Sequence, residues 1–354
     1  MHTTHAVVVG DARELHTLED ASVELVVTSP PYPMIELWDD LFARLDPGVA
    51  DALDAGNGDA AFERMHACLD HVWSEVARVL VDGGLACVNV GDATRTVDGT
   101  FRLFPNHVRV AAALADHGLV ALPPVRWRKP TNRGTKFMGS GMLPTNAYVT
   151  LEHEHVLVFR KGGPRAFAAG DEARYESAYF WEERNAWFSD LWADVGGETQ
   201  PLDGETRDRS AAFPLAVPYR LVHMYSVRGD TVLDPFAGTG TTALAAMAGA
   251  RHSVAYELDA GLAAGIGDRL ADAPAVTRER AERRLRDHRA FVAAREADGR
   301  SLAYRASHYD LPVVTKQERD LRLYAVEAVE PAADGFVATH APVEAVPAVE
   351  PESD

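Results

Sequence analysis

The sequence predicts an α/β fold, a mostly parallel, doubly wound sheet with helices on both faces, and three observations predict it. Short β-branched runs recur along the chain, separated by segments with helical periodicity, which is the pattern of a parallel sheet. One run, Thr231-Val232-Leu233, passes through Asp234-Pro235-Phe236 into a loop carrying Gly238 and Gly240, followed by the helix formers Ala243 to Ala248. Strand, glycine turn and helix in that order are the context a nucleotide-type loop requires. A third signal, about two hundred residues earlier, is the run from Ser22 to Thr28, which stops abruptly in Ser29-Pro30-Pro31-Tyr32.

Each motif has a physical reading. The glycines let the backbone pass close to a ligand, and the first turn of the helix offers N–H groups without intrahelical partners, suited to a carboxylate. Thr241 follows the second glycine, and Glu257 lies near the end of the next strand, His252 to Asp259. A carboxylate about 20 residues after such a loop accepts hydrogen bonds from ribose hydroxyls. In the other motif two consecutive prolines remove two donors and fix φ, so the chain leaves the sheet as a stiff, non-helical loop. A stiff loop is what a site needs if it must hold one planar amine in one position.

The pair of motifs, TSPPY and DPFAGTGTT, resembles the signatures of the amino-methyltransferases of DNA, an Asp/Asn/Ser-Pro-Pro-Tyr loop and an Asp-Pro-Phe-x-Gly-x-Gly-Thr loop. The resemblance covers roughly residues 5 to 270. It implies a Rossmann-like S-adenosylmethionine-dependent methyltransferase fold with a seven-stranded sheet. The motif order is circularly permuted, of the family's β-type, and a target-recognition region is inserted. The implied cofactor is S-adenosylmethionine, with Asp234, Pro235, Phe236, Gly238, Gly240, Thr241 and Glu257 around it and Asp11, after the first strand, near the adenine. A loop-capping role for Asp11 is an equal alternative.

By the same resemblance the catalytic residues are Ser29, Pro30, Pro31 and Tyr32. Ser29 Oγ and the Pro30 carbonyl would accept the amine hydrogens, and Tyr32 would stack on a base flipped out of duplex DNA. Serine in the first position favours N4 of cytosine over N6 of adenine. Cytosine-C5 chemistry is disfavoured, because neither Cys68 nor Cys87 follows a proline as its nucleophile usually does. The stretch PPYPMIELWD is similar to that of archaeal modification methylases for short palindromes, CTAG among them, which implies a type II restriction-modification context with a cognate endonuclease as partner.

The net charge of −18 over 354 residues argues against a uniformly nucleic-acid-binding surface, yet its distribution is uneven. Residues 126 to 136, RWRKPTNRGTK, carry Arg126, Arg128, Lys129, Arg133 and Lys136 and no acid, and are the expected DNA contacts. The acidic remainder, with few lysines among many arginines, fits a salt-adapted source or a GC-rich genome. Two cysteines imply no disulfide framework, and no apolar run approaches the roughly 20 residues of a membrane span, so a cytoplasmic protein without a membrane partner is expected.

In chain order, residues 1–161 form the catalytic half. Within it Leu37 is expected to pack, with Trp38 left open, residues 62–80 form a helix ended by Gly83-Gly84, and strands follow near 85–90, 125–129 and 155–161. In Glu152-His153-Glu154-His155 alternate residues face opposite sides of a strand, so no metal is expected. Residues 162–209, rich in aromatics, are the expected recognition region, although most of these rings read as a satellite core. Residues 210–272 are the cofactor half. Residues 273–327 are a helical extension with a solvated helix near 277–296, and 328–354 read as an acidic, disordered tail. Competing readings are an adenine-N6 methyltransferase, an enzyme acting on RNA or a small amine, and a non-catalytic DNA-binding relic of the fold.

Overall fold

The structure, a computed structural model, describes residues 1–129, 139–196 and 213–344. Its strands, in chain order, are β1 (His2–Val9), β2 (Val23–Thr28), β3 (Leu80–Val90), β4 (Ala93–Val97), β5 (Thr100–Phe104), β6 (Leu119–Arg128), β7 (His153–Lys161), β8 (Leu191–Trp192), β9 (Thr231–Asp234), β10 (His252–Glu257), β11 (Tyr304–Arg305), β12 (Pro312–Val313), β13 (Tyr324–Ala332) and β14 (Gly335–Pro342). Ten of them form one sheet in the order β13-β14-β1-β10-β9-β2-β3-β7-β6-β8. The five strands from β1 to β3 in that order are mutually parallel, and β7 runs antiparallel to both β3 and β6.

The α/β fold and permuted order are as expected. β1 docks parallel to β10 with Val9 opposite Glu257, so the chain's first strand completes the half formed by its later residues. The seven expected strands are present, but the sheet has ten. The three additions are β8 and the hairpin β13-β14, which corrects the reading of 328–354 as a disordered tail: residues up to Pro342 are sheet. Ala325, Val326, Ala338 and His340 are buried there. Ala333-Asp334 makes the tight turn, and a Cβ on Gly335, the first residue of β14 at φ +143, would stand 2.1 Å from the His5 carbonyl, so only glycine lets β1 approach so closely.

Helix Gly58–Val79 begins where the Asn57 side chain accepts from the Ala60 N–H, and it buries Phe62, Met65, Leu69, Val72, Trp73 and Val76 against one face of the sheet. It ends at Val79 and not at Gly83-Gly84, which lie inside β3. Helices Ala216–Tyr225, Thr241–Ala248 and Ala273–Ala297 contribute to the core on the other face. The last corrects the expected solvated helix: Thr277, Ala281, Leu285, His288 and Val292 recur along one stripe and are buried.

Among the described residues of 162–209, Phe180, Trp187 and Trp192 are buried, as the satellite-core reading expects, while Tyr175, Trp181 and Phe188 stay partly exposed. Glu183 in this segment receives both Arg284 Nε and Nη2, at 2.5 and 2.8 Å, from the C-terminal helix. No helix among the described residues is long and apolar enough to cross a membrane.

Candidate active site

The two motifs meet because β2 and β9 are neighbours, with Val26 opposite Leu233. At the ends of these strands Thr28 Oγ1 donates to Asp234 Oδ1 and Thr242 Oγ1 to Asp234 Oδ2, each at 2.6 Å, and the Phe236 N–H reaches Asp234 Oδ1 at 3.1 Å. One carboxylate therefore ties together the strand before Ser29, the strand before the glycine loop and the helix after it. Burial raises its pKa, opposed by these three bonds. Asp234 is a cofactor contact in the sequence reading; the structure commits its carboxylate oxygens to the protein itself.

Beside this clasp lies a cavity of about 860 Å³ at the carboxyl ends of the parallel strands, where open α/β sheets bind ligands. Asp11, Ser29, Pro30, Pro31, Asp234, Pro235, Phe236, Gly238, Thr241 and Glu257 all line it. Glu257 accepts from the Gly238 N–H at 2.7 Å and the Asp259 N–H at 2.9 Å, which locks the glycine loop against β10. Each carboxylate oxygen retains acceptor capacity for a diol. Gly240 stands just before helix Thr241–Ala248 at φ +78, where a Cβ would meet Ile266 at 2.8 Å, so it builds the turn from behind and does not line the cavity. Asp11, next after Gly10, whose N–H donates to the Glu257 carbonyl at 3.0 Å, is held by Arg13 Nε and Nη2. The cavity's size, glycine loop, helix N-terminus and acidic strand end fit S-adenosylmethionine.

In the SPPY loop Ser29 and both prolines face the cavity, but Tyr32 does not line it. Its ring is buried, and its hydroxyl lies 2.9 Å from Ser29 Oγ, 2.9 Å from Asn89 Nδ2 and 3.1 Å from Glu154 Oε2. Burial, reinforced by Glu154, holds the phenol pKa well above 10. Asn89 and Glu154 are residues the sequence reading missed as site components. A polar side chain in the middle of the buried run ACVNV was the available signal for Asn89.

The basic residues divide. Arg126 and Arg128 are exposed, and Arg128 pairs with Glu152 at 2.9 Å. Lys129 turns inward to Glu154 Oε1 at 2.6 Å, a bond that competes with any phosphate contact. Arg133 and Lys136 lie outside the described residues. Leu37, expected to pack, is 48% exposed and lines the cavity with Trp38, because the short helical turn Glu36–Trp38 turns it outward; this corrects its assignment to the core.

The alternation argument for Glu152 to His155 holds for Glu154 and His155, which face different clusters. His155 stacks on His107 with ring centroids 3.9 Å apart and planes 7° from parallel, and His107 Nδ1 bonds Asp92. These three groups lie within 4.8 Å of one another. Stacked rings keep their in-plane lone pairs in parallel planes, and the three groups form a hydrogen-bonded stack.

A glycine loop and an SPPY loop opening on one cavity of this fold define an S-adenosylmethionine-dependent methyltransferase. The sequence model of the N6/N4 DNA methylase family matches residues 23–266, and the chain belongs to that family. It is 48% identical over 328 residues to the type II methyltransferase M.MthZI of Methanothermobacter thermautotrophicus, covering 92% of this chain and 91% of the relative. To the type II methyltransferase M.MjaI of Methanocaldococcus jannaschii it is 49% identical over 272 residues, covering 73% and 89%. A solved structure of TTHA0409 of Thermus thermophilus, assigned as a DNA modification methylase and complexed with S-adenosyl-L-methionine, is similar with a TM-score of 0.60 at 33% identity, covering 76% of this chain and 93% of the other. The expected resemblance to archaeal type II modification methylases is thereby found, and the protein is a DNA methyltransferase that uses S-adenosylmethionine.

Proposed function

We propose that the enzyme methylates the exocyclic N4 of cytosine in a short duplex site, with CTAG the sequence to test first, as the modification partner of a type II endonuclease. The observation that carries the base assignment is Ser29, a hydroxyl in the first position of the proline loop, on the cavity wall. S-adenosylmethionine, when bound, supplies a methyl group already activated on its sulfonium. The protein supplies position. An exocyclic amine is a weak nucleophile because its lone pair is delocalised into the ring. Ser29 Oγ and the Pro30 carbonyl accept its two hydrogens out of the base plane, which favours a localised lone pair aimed at the methyl.

The cavity lies at the end of the sheet, so the base reaches it only when flipped from the duplex. Arg126 and Arg128, with Arg133 and Lys136 in the same basic stretch, then meet the phosphates, and Ser29, Pro30 and Pro31 border the flipped base while Tyr32 supports them from behind. Asp11, Glu257 and the 236–241 backbone hold the cofactor. Replacing Ser29 by alanine tests the assignment. The single-turnover rate on a CTAG duplex should fall about a hundredfold, with cofactor affinity and thermal midpoint unchanged. A near-normal rate refutes the role of Ser29.

A further inference from the structure

The hydrogen bonds behind Ser29 have a direction. Glu154 is nine-tenths buried, and its Oε1 receives the Lys129 ammonium at 2.6 Å, which holds it as a carboxylate that accepts and never donates. Its Oε2 takes Asn89 Nδ2 at 2.6 Å and the Tyr32 hydroxyl at 3.1 Å. The Asn89 amide is fixed with its NH₂ inward, since the opposite setting would aim its oxygen at the carboxylate. The same NH₂ also donates to the Tyr32 oxygen at 2.9 Å.

Tyr32 has one hydrogen, and it goes to Glu154. The remaining contact of the Tyr32 oxygen, Ser29 Oγ at 2.9 Å, then has only one consistent sense: Ser29 donates and Tyr32 accepts. With its own proton directed away from the cavity, Ser29 Oγ is left with its lone pairs facing a substrate. A serine hydroxyl free to rotate would be donor and acceptor in turn, whereas the amine needs an acceptor.

The geometry points to Glu154 as a positioning residue of methyl transfer: through Tyr32 it sets the polarity of the Ser29 hydroxyl, so that Ser29 presents lone pairs to the target amine. The inference rests on the reading of Ser29 as an amine acceptor. It also ties the chemistry to the DNA-facing side, because Lys129 belongs to the basic stretch from Arg126 to Lys136.

Glu154→Gln places an N–H donor where only acceptors stood. The single-turnover rate should fall about ten- to a hundredfold, while KM for duplex DNA, S-adenosylmethionine affinity and thermal midpoint stay within error. Tyr32→Phe removes the middle link and should lower the rate to a similar degree, and the double variant should be no slower than the worse single one. The inference is overturned if Glu154→Gln keeps a rate within twofold of the parent, if the two losses multiply, or if cofactor affinity and thermal midpoint fall with the rate. Should Glu154→Gln fail to fold, Tyr32→Phe decides alone: an unchanged rate overturns the relay. Nucleoside analysis of the wild-type product keeps the two questions apart. N6-methyladenine would refute the cytosine reading and leave the relay to be judged by the cycle, because an exocyclic amine of either base needs the same acceptor.

Discussion

Asp234 is the clasp of the site, and replacing it by alanine tests whether the two motifs are held together as described. The carboxylate receives Thr28 and Thr242 hydroxyls at 2.6 Å and the Phe236 N–H at 3.1 Å. Hydrogen bonds to a charged acceptor contribute roughly 1.5–3 kcal/mol each. Against the gross sum stands the cost of burying the charge, which the variant no longer bears. The net loss should be about 3 kcal/mol, in the range of a broken buried network. Asp234→Asn should lose about 1 kcal/mol. Its oxygen still serves Thr28 and Phe236, and the Thr242 hydroxyl can turn to accept. Urea denaturation, read as a shift in midpoint at constant m, measures both, and calorimetry gives cofactor affinity. Asparagine should bind the cofactor nearly as the parent does, because the carboxylate works inside the protein. A loss below about 1 kcal/mol in the alanine variant, or an asparagine variant that folds normally but cannot bind cofactor, would refute the assignment.

Two further outcomes are expected. His66 is fully buried, its Nε2–H on Asn106 Oδ1, and burial lowers its pKa to about 3, so the folded state holds it neutral. The unfolded chain takes up a proton below its ordinary 6.5, so the stability the neutral ring contributes is present above that pH and is lost as pH falls. Between pH 7 and 5 the loss should be about 2 kcal/mol, measured as the extra pH dependence of wild type over His66→Gln; parallel curves would contradict it. Gly335→Ala would force a Cβ to within 2.1 Å of the His5 carbonyl. It should destabilise the chain by about 2 kcal/mol or more and deprotect β14 amides in hydrogen exchange, whereas a neutral effect would show that the hairpin is not docked on β1.

The site was more legible in the sequence than its supports. Both loops follow buried strands and carry residue types with narrow backbone uses, proline pairs and glycines, so local pattern located the loops, and the family resemblance they carry implied the ten cavity-lining positions, Asp11 and Glu257 outside the loops among them. What pattern does not give is where a side chain spends its hydrogen bonds. Asp234 and Lys129 are motif or patch residues in the sequence, yet one is turned into a clasp and the other to Glu154. Asn89 and Glu154 sit on strands whose spatial neighbours, β2 and its loop, are distant in sequence.

The C-terminal hairpin was misread for a compositional reason. Alanine, valine and acids suggested disorder, although Asp334-Gly335 between two β-prone runs is a hairpin signal, as is Asp98-Gly99 between β4 and β5. The long C-terminal helix was misjudged because its buried stripe includes Thr277, Arg284 and His288, polar residues whose partners lie in other segments.

The measurement that tests the central claim most directly is transfer of labelled methyl from S-adenosylmethionine to a duplex containing CTAG, followed by nucleoside digestion and mass spectrometry. Each strand of that palindrome offers one cytosine and one adenine to the same enzyme. The account predicts N4-methylcytosine, formed about a hundredfold more slowly with Ser29→Ala; N6-methyladenine, or no nucleoside product from an enzyme that binds cofactor, would contradict it.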